Sequence, residues 1–205
     1  NGLIDEVLGE KKDVRKIFAN DIIEASDRLN RIVDNLLGSI RIESKRTALN
    51  LEWYDISDLA SSVREKTGLL MKEHKFTLEI SGNIPLLRFD FMLMEHLLKN
   101  LVYNAILYTP PGSRIVLRIV PDENDIIITV SDNGAGIPEA EKEKIFKKFY
   151  RPKGAKTGGL GLGLSICREV AEIHNGTISV ETSEMGGASF IVRLPLQRSE
   201  IKGEV

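Results

Sequence analysis

Three short polar pieces stand in a fixed order in the middle of the chain, and they limit what it can fold into. The first is the pair Asn100 and Asn104, inside an apolar helical run. The second is residues 132–136, directly after a run of β-branched residues typical of a buried strand. The third is the glycine-rich stretch 158–164, which opens another helix. The sequence therefore predicts polar groups placed at the ends of a strand and of helices, around one site.

The residue types in these pieces match the parts of a nucleotide. Asn100 and Asn104 are four residues apart, so a helix places both amides on one face. Amide oxygens suit Mg²⁺, which also takes water and phosphate oxygens. Asp132 is an acceptor when ionised and suits an adenine amino group. Stretch 158–164 offers backbone N–H groups at a helix N-terminus, where phosphates bind. Together they predict a base pocket, a metal ligand and a phosphate cradle.

Two other glycine motifs are excluded by their spacing. No glycine is followed by Lys-Ser or Lys-Thr, as a Walker A loop requires. The dinucleotide fingerprint fails because Ile166 stands where its last glycine would follow Gly161 and Gly163. A glycine run by itself is typical of a flexible loop. Two asparagines on a helix are, by themselves, typical of a solvated face. Only the ordered combination predicts a nucleotide site.

The order of these pieces resembles the ATP-binding domain of bacterial sensor histidine kinases, in the GHKL superfamily. Residues 100–109 correspond to the N-box and residues 132–136 to the first glycine box. Phe146 and Phe149 correspond to the F-box, and residues 159–163 to the second glycine box. Details after Cys167 and at residues 186–188 are closest to Kdp-type potassium sensors.

The resemblance implies a role for each matching residue. It gives Mg²⁺ to Asn104, the adenine amino group to Asp132, and a catalytic role at the phosphates to Asn100, Asn104 and Arg151. Arg151 is alternatively an ordinary surface arginine, and residues 151–158 would form the ATP lid. The implied nucleotide-binding set is Asn100, Asn104, Tyr108, Asp132, Gly134, Gly136, Ile137, Gly159, Leu160, Gly161, Leu162, Gly163 and Ser189.

Asn100 also bears on the mechanism. Related ATPases that use water place a glutamate here as general base, and an asparagine cannot take a proton at neutral pH. The resemblance therefore implies transfer of the γ-phosphoryl group of ATP to a histidine, and then relay to the receiver domain of a response regulator. Leu107 stands where the family has a lysine, which leaves open a degenerate, non-catalytic dimer module. An anti-sigma-type serine kinase is a second enzymatic alternative, and the long N-terminal helix argues against it.

The N-terminal part predicts one long helix with an apolar seam. Such a seam needs a helix hairpin, a dimer mate, or both. By resemblance, residues 1–45 are the end of a dimerisation and phosphotransfer hairpin and residues 46–205 the ATP-binding domain. The seam residues are Phe18, Ile22, Ala25, Leu29, Ile32 and Leu36. None of the chain's three histidines (His74, His96 and His174) lies in the hairpin, so we expect the phosphoacceptor to precede Asn1.

The pattern of elements predicts an α/β fold, a two-layer sandwich with a mixed sheet, preceded by the long dimerisation helix. The resemblance implies the histidine-kinase or Hsp90-type ATPase version of that fold. Predicted helices cover residues 55–72, 90–109, 139–150 with Phe146 and Phe149 on one side, and 160–175 with Gly176 after its end. Predicted strands include the antiparallel pair 115–120 and 126–131 and a last hairpin of 177–182 with 188–194.

Composition excludes several other classes. The net charge of −2 over 205 residues argues against nucleic-acid binding. Cys167 is the only cysteine and lies among apolar helical residues, so it is expected in the core. No apolar run is long enough to span a bilayer. We expect a cytoplasmic portion of a protein anchored in the inner membrane through regions outside this sequence.

Overall fold

The computed structural model describes residues 49–152 and 160–196, together with eight separate residues of the N-terminal segment, all helical. These eight are Phe18, Ile22, Ala25, Ser26, Leu29, Val33, Asn35 and Gly38. Among the predicted features, seam residues Ile32 and Leu36, glycine Gly159 and the lid segment 153–158 lie outside the described residues.

The described part of the chain intersperses helices with single strands and with pairs of consecutive strands. In order they are β1 (Glu52–Tyr54), α1 (Ile56–Thr67), β2 (Lys75–Ile80), β3 (Leu87–Phe89), α2 (Phe91–Tyr108), β4 (Arg114–Pro121), β5 (Asp125–Asp132), α3 (Glu139–Lys142), a 3-10 turn (Lys144–Phe146), α4 (Gly163–Ile173), β6 (Thr177–Thr182) and β7 (Ala188–Pro195).

Five of the strands form one mixed sheet in the order β2-β4-β5-β7-β6. The pair β2 and β4 is parallel, and the other neighbours are antiparallel. The register places Leu117 opposite Val130, and Ile128 opposite Val192. Strands β1 and β3 form a separate two-stranded ladder. The predicted α/β fold with a mixed sheet is confirmed, as is the antiparallel pairing of β4 with β5.

One face of the large sheet carries the core, because its strands alternate apolar and polar residues. The buried members of the two central strands point to the same side, where α2 and α4 pack. They are Ile115, Leu117, Ile119, Ile126, Ile128 and Val130. Cys167 is fully buried in the same core, as expected, and burial raises the pKa of its thiol far above the usual range.

Helix α2 begins and ends where the sequence predicts. The Asp90 carboxylate accepts a hydrogen bond from the Leu93 backbone N–H (3.2 Å) and caps the N-terminus. At the other end the Thr109 hydroxyl donates to the Ala105 carbonyl (2.7 Å). The middle of the helix buries Leu97 and Leu101 completely. Helix α2 is therefore fixed at both ends and anchored along one face.

A buried histidine joins the start of α2 to the end of α4. The Asp90 backbone N–H donates to His174 Nε2 (3.0 Å), and His174 Nδ1 lies 2.7 Å from the Val170 carbonyl. Because a carbonyl only accepts, Nδ1 carries the proton and Nε2 is the acceptor. This neutral ring holds the two helices that flank the site in a fixed relation.

Two predicted helices are shorter in the structure. The helix predicted over 55–72 ends at Thr67, and residues 68–73 form turns. The helix predicted over 139–150 stops at Lys142 and continues only as a 3-10 turn to Phe146. The first of these helices ends before Gly68, a poor helix former, whose backbone N–H donates to the Glu65 carbonyl three residues back.

The prediction that Phe146 and Phe149 share one side is wrong. Phe146 is buried, whereas Phe149 is 70% exposed and adopts a φ of 63°. The Phe149 N–H donates to the Gly161 carbonyl (2.9 Å), which holds the backbone in this left-handed conformation. A long-range contact with the glycine-rich loop therefore ends the helix.

Helix α4 is also shorter than predicted, from Gly163 to Ile173. The residue that leaves it in the left-handed conformation is Asn175 (φ 58°), not Gly176. Asparagine tolerates this conformation better than most residues. Gly176 has a different constraint, since a Cβ there would overlap the Arg193 carbonyl of β7.

A nearly buried carboxylate holds α1 against α2. Glu95 Oε1 accepts from the Ser62 hydroxyl (2.5 Å) and from Lys66 Nζ (2.6 Å), both on α1. Burial raises the pKa of Glu95, but the hydrogen bonds and the Lys66 charge outweigh it, and the net shift is downward. The folded state is therefore stabilised by the ionised form of this carboxyl.

We expect Glu95→Gln to lower the free energy of unfolding at pH 7 by about 1–2 kcal/mol, since it loses a charge-assisted pair whose lysine is half exposed. The lowered pKa makes this stabilisation complete above the ordinary glutamate pKa of about 4.3, and it is lost as the pH falls through the lowered folded-state pKa. Urea unfolding of both proteins between pH 3 and 7 measures this. The matched control is Glu79→Gln, whose exposed pair with Arg118 should matter by less than about 1 kcal/mol. A constant difference across the pH range would contradict the role of Glu95.

Candidate nucleotide-binding site

A cavity of about 440 Å³ lies between α2, the loop after β5 and the loop before α4. Most of the predicted site residues line it, although they come from separate parts of the sequence. They are Asn100, Asn104, Tyr108, Asp132, Gly136, Ile137, Arg151, Leu160, Gly161, Leu162 and Gly163. The fold thus brings together the three polar pieces that the sequence sets apart.

One wall of the cavity is the polar face of α2. Asn100 and Asn104 both line it, as their spacing predicts. Asn100 Nδ2 is buried and has no hydrogen-bond acceptor among the described residues. An unpaired buried amide costs free energy, about 1–3 kcal/mol, that a ligand with acceptor oxygens would return. This wall therefore suits a phosphate group.

The donor set on this wall also fits Mg²⁺. Among the described residues no cluster of three or more His, Cys, Asp or Glu side chains could hold a metal by itself. Mg²⁺ needs few protein ligands when phosphates and waters supply the rest of its coordination shell. The Asn104 amide oxygen is a group of the kind that Mg²⁺ coordinates, and the unpaired amide of Asn100 lies on the same wall.

Asp132, the last residue of β5, stands at the sheet end of the cavity. Its Oδ1 accepts from the backbone N–H groups of Gly134 (2.8 Å) and Ala188 (3.2 Å). Among the described residues nothing donates to Oδ2. Burial raises the pKa of Asp132, and the two backbone hydrogen bonds offset part of that effect. One oxygen is thus fixed by the backbone, and the other remains an acceptor for a ligand.

Two glycines are required by close approach of the backbone. A Cβ on Gly187 would overlap Asp132 Oδ1 and come within 2.5 Å of the Gly134 nitrogen. Gly161 adopts a φ of 70°, and a Cβ on it would lie 2.7 Å from the Tyr150 carbonyl. Gly187 therefore allows β7 to clamp the carboxylate, and Gly161 allows the glycine-rich loop to reach the turn after Phe146.

Family models and relatives agree with this geometry. Residues 90–198 match the model described as histidine kinase-, DNA gyrase B-, and HSP90-like ATPase. The chain belongs to this family. The matched region contains α2, both ends of the cavity and the clamp on Asp132.

Relatives of this ATPase family include sensor proteins. The chain is 32% identical over 200 residues to the sensor protein SrrB of Staphylococcus aureus, covering 94% of this chain and 34% of SrrB. It thus spans about a third of the length of the curated relatives it matches. The structure superimposes on the nucleotide-free catalytic domain of histidine kinase ThkA with a TM-score of 0.65 at 29% identity, covering 73% of this chain and 100% of that domain.

A second structure with ThkA covers more of the chain. In its complex with the response regulator protein TrrA, ThkA matches 88% of this chain and 51% of its own, with a TM-score of 0.70 and 28% identity. The predicted histidine-kinase-type ATPase fold is therefore confirmed.

No helix among the described residues has the length and apolar character needed to cross a membrane.

Three predicted residues of the ATPase site are placed elsewhere or lie outside the described chain. Gly134 does not line the cavity but donates to Asp132. Ser189 is buried in β7, away from the cavity lining, and its hydroxyl is 2.9 Å from that of Ser131 on β5. Gly159 lies outside the described residues. The Ser189 hydroxyl therefore ties two strands together and does not reach the cavity wall.

Sequence reasoning missed several residues that line the cavity. Tyr103 lies three residues after Asn100, one helical turn on, and this spacing could have identified it. Tyr150 lines the cavity and donates a hydrogen bond to Glu141, which no local pattern indicates. Asn35 comes from the N-terminal helical segment, and its sequence surroundings show only the seam.

We expect Asp132→Asn to separate ligand binding from stability. The Asn oxygen can still accept from Gly134 and Ala188, but its NH₂ would face the ligand where Oδ2 accepts. Adenine nucleotide affinity should fall by about 30-fold or more, for an interaction of about 2 kcal/mol. Calorimetric titration with ATP measures this, and equal affinity for both proteins would contradict the placement of the base.

The same variant tests the raised pKa of Asp132. A raised carboxyl pKa means that folding disfavours the ionised form. This cost is complete above the raised folded-state pKa, falls as the pH drops below it, and is gone below the ordinary aspartate pKa. Without nucleotide, the free energy of unfolding of Asp132→Asn should therefore be at least that of the wild type at pH 7. This advantage should disappear at lower pH. Thermal unfolding across the pH range checks the sign.

Proposed function

We propose that this chain is the ATP-binding catalytic part of a sensor histidine kinase, which binds ATP with Mg²⁺ and transfers the γ-phosphoryl group to a histidine. The observation that carries the proposal is the cavity itself. It has an acceptor oxygen at Asp132 at one end and the amides of Asn100 and Asn104 on the α2 wall. The homology to sensor kinases supports the same reading.

Each end of the cavity receives a part of the nucleotide. Asp132 Oδ2 accepts from the adenine amino group, with Tyr108 and Ile137 beside the ring. Asn100 donates its unpaired Nδ2 to a phosphate oxygen, and Asn104 gives its amide oxygen to Mg²⁺. Mg²⁺ held by Asn104 would supply electrostatic stabilisation of the negative charge that develops on the phosphates during transfer. Arg151, which lines the cavity, meets the phosphates from the opposite loop.

The choice of acceptor follows from what the cavity lacks. Apart from Asp132, no carboxylate or imidazole lines it among the described residues. Asp132 accepts hydrogen bonds from two backbone N–H groups and, in this proposal, from adenine. Asn100 cannot take a proton from water, because its amide is not basic at neutral pH. The site is therefore unsuited to activating water. The site suits a nucleophile that needs no general base, such as the unprotonated nitrogen of a histidine. That nitrogen would attack the γ-phosphorus as the bond from phosphorus to the ADP oxygen breaks.

The histidines of this chain are poorly placed to accept the phosphoryl group. His174 is buried and holds α2 to α4 through both ring nitrogens. His74 is half-buried, with Nε2 3.0 Å from the Thr109 hydroxyl. His96 is half-buried on α2, and Gly38 packs against its ring. We infer that the phosphorylated histidine is another one, carried by a helix that docks at the cavity.

The wider setting is also a proposal. Residues 1–45 would form part of a dimerisation hairpin, and residues 46–205 the ATP-binding domain. The ThkA complex contains a response regulator, and we propose that a receiver domain takes the phosphoryl group here as well. ATP is available in the cytoplasm, so the catalytic part would work there, within a protein anchored in the inner membrane.

We expect the chain to bind Mg·ATP and to phosphorylate a supplied histidine-bearing helical hairpin, while gaining no label itself. Incubation with γ-labelled ATP and mapping of acid-labile phosphate measures both outcomes. At ATP concentrations below saturation, Asp132→Asn should slow transfer in line with its weaker nucleotide binding, and Ser131→Ala, whose residue does not line the cavity, should retain transfer. Acid-labile phosphate on His74, His96 or His174, or no nucleotide binding by the wild type, would overturn the proposal.

We also expect the chain to form a weak homodimer through the N-terminal helix. The described seam residues Phe18, Ile22 and Leu29 are each more than 60% exposed, so the chain does not cover them itself. Leu29→Glu places a charge in the seam and should shift sedimentation toward the monomer. The matched control is Asn20→Glu, which adds the same charge at a polar position that the apolar repeat of the sequence skips. Identical sedimentation of Leu29→Glu and the wild type at every concentration would contradict the dimer.

A further inference from the structure

The N-terminal helical segment contacts α2 at a glycine. Gly38 is buried, and a Cβ built on it would lie 2.8 Å from His96 Nε2 and 3.3 Å from two ring carbons of His96. A glycine inside a helix costs about 1 kcal/mol relative to alanine. Here the missing side chain is what allows the helix backbone to approach α2 this closely.

Asn35 lies three residues before Gly38, on the same face of the helical segment. It is half-buried and lines the same cavity as Asn100, which follows His96 by one turn of α2. His96 itself does not line the cavity. The two helices therefore run in opposite directions, and the contact at Gly38 and His96 brings Asn35 to the Asn100 end of α2.

Two amide atoms of this cavity are buried without a partner among the described residues. They are Asn35 Oδ1, an acceptor, and Asn100 Nδ2, a donor. The two atoms do not hydrogen-bond to each other, although one is an acceptor and the other a donor. A ligand that offers both an acceptor and a donor would satisfy both. A phosphate oxygen accepts, and a water bound to Mg²⁺ donates strongly because the metal polarises it.

We propose that Asn35 is an additional binding residue of the nucleotide site, contributed by the helix that precedes the ATP-binding domain. Its Oδ1 accepts a hydrogen bond from a water on the phosphate-bound Mg²⁺. This rests on the proposed function, because it needs ATP with Mg²⁺ in the cavity. Gly38 acts as a positioning residue, since it sets the distance between the helix and α2.

The contact couples the dimerisation helix to the nucleotide. If bound Mg·ATP donates a hydrogen bond to Asn35 Oδ1 through a metal-bound water, it favours the arrangement in which Gly38 packs on His96. By thermodynamic reciprocity, the packing of the helix strengthens binding of Mg·ATP by the same factor. One helix therefore serves both surfaces. Its exposed residues Leu29 and Val33 lie on one side, and Asn35 lines the cavity on the other.

Calorimetric titration of the full chain tests this, with a non-hydrolysable ATP analogue in the presence of Mg²⁺ and again in EDTA. Asn35→Ala should weaken binding about five- to tenfold with Mg²⁺ and leave metal-free binding unchanged. Gly38→Leu should weaken Mg²⁺-dependent binding by a similar factor, because its side chain pushes the helix off His96. The double variant should be no weaker than either single variant, since both remove the same contact.

Ser26→Leu is the matched control, an exposed position of the same helix away from α2, and it should bind as the wild type does. Wild-type affinity of Asn35→Ala for the Mg²⁺ complex would overturn the inference, as would an equal loss in EDTA or additive losses in the double variant. Failure of the proposed function is distinct, because then the wild type itself does not bind the analogue. If the wild type binds and Asp132→Asn does not, while Asn35→Ala is unchanged, only the role of Asn35 is wrong.

Discussion

The carboxylate of Asp132 is the point on which the rest of the site depends. It is buried at the end of β5, where water cannot solvate it, and two backbone N–H groups replace that water on one oxygen. This arrangement needs β7 to pass so close that a side chain at Gly187 would overlap it. The register of β5 with β7, which includes apolar pairs such as Val130 with Phe190, therefore fixes the orientation of the Asp132 carboxylate in the cavity.

Helix α2 serves the core and the cavity at once. Its apolar side is buried against the sheet, and its polar side carries Asn100 and Asn104. The helix is capped by Asp90, joined to α4 by His174 and held to α1 through Glu95. These contacts restrain the helix from both ends and one flank. The two amides are thus presented by a rigid element, which reduces the entropy cost of ordering them around a ligand.

The chemistry of the cavity follows from the residues that could not act as bases. An asparagine at position 100 removes the proton acceptor that hydrolysis by water requires, while it keeps a donor for phosphate. Leu107 adds apolar surface where a charged contact to phosphate would otherwise be available. In the proposed transfer, positioning and electrostatic stabilisation would lower the barrier, as is usual in phosphoryl-transfer sites.

The sequence by itself determined the elements and the polar groups they carry. Alternating apolar residues defined β4 and β5, the cap at Asp90 located the start of α2, and four-residue spacing put Asn100 and Asn104 on one face. These features depend on neighbours within a turn or a strand, so a local pattern records them. The resemblance to a known family then supplied the fold and the use of Asp132.

Only the tertiary structure decided the features that depend on contacts between distant residues. The left-handed backbone of Phe149 is held by Gly161, the hydroxyl of Ser189 is held by Ser131, and the need for glycine at position 187 comes from Asp132. Asn35 lines a cavity whose other residues begin at Asn100. Each of these is a packing distance between segments far apart in the chain. No local periodicity encodes such a distance, because it is fixed by the sheet register and by how closely two backbones can approach.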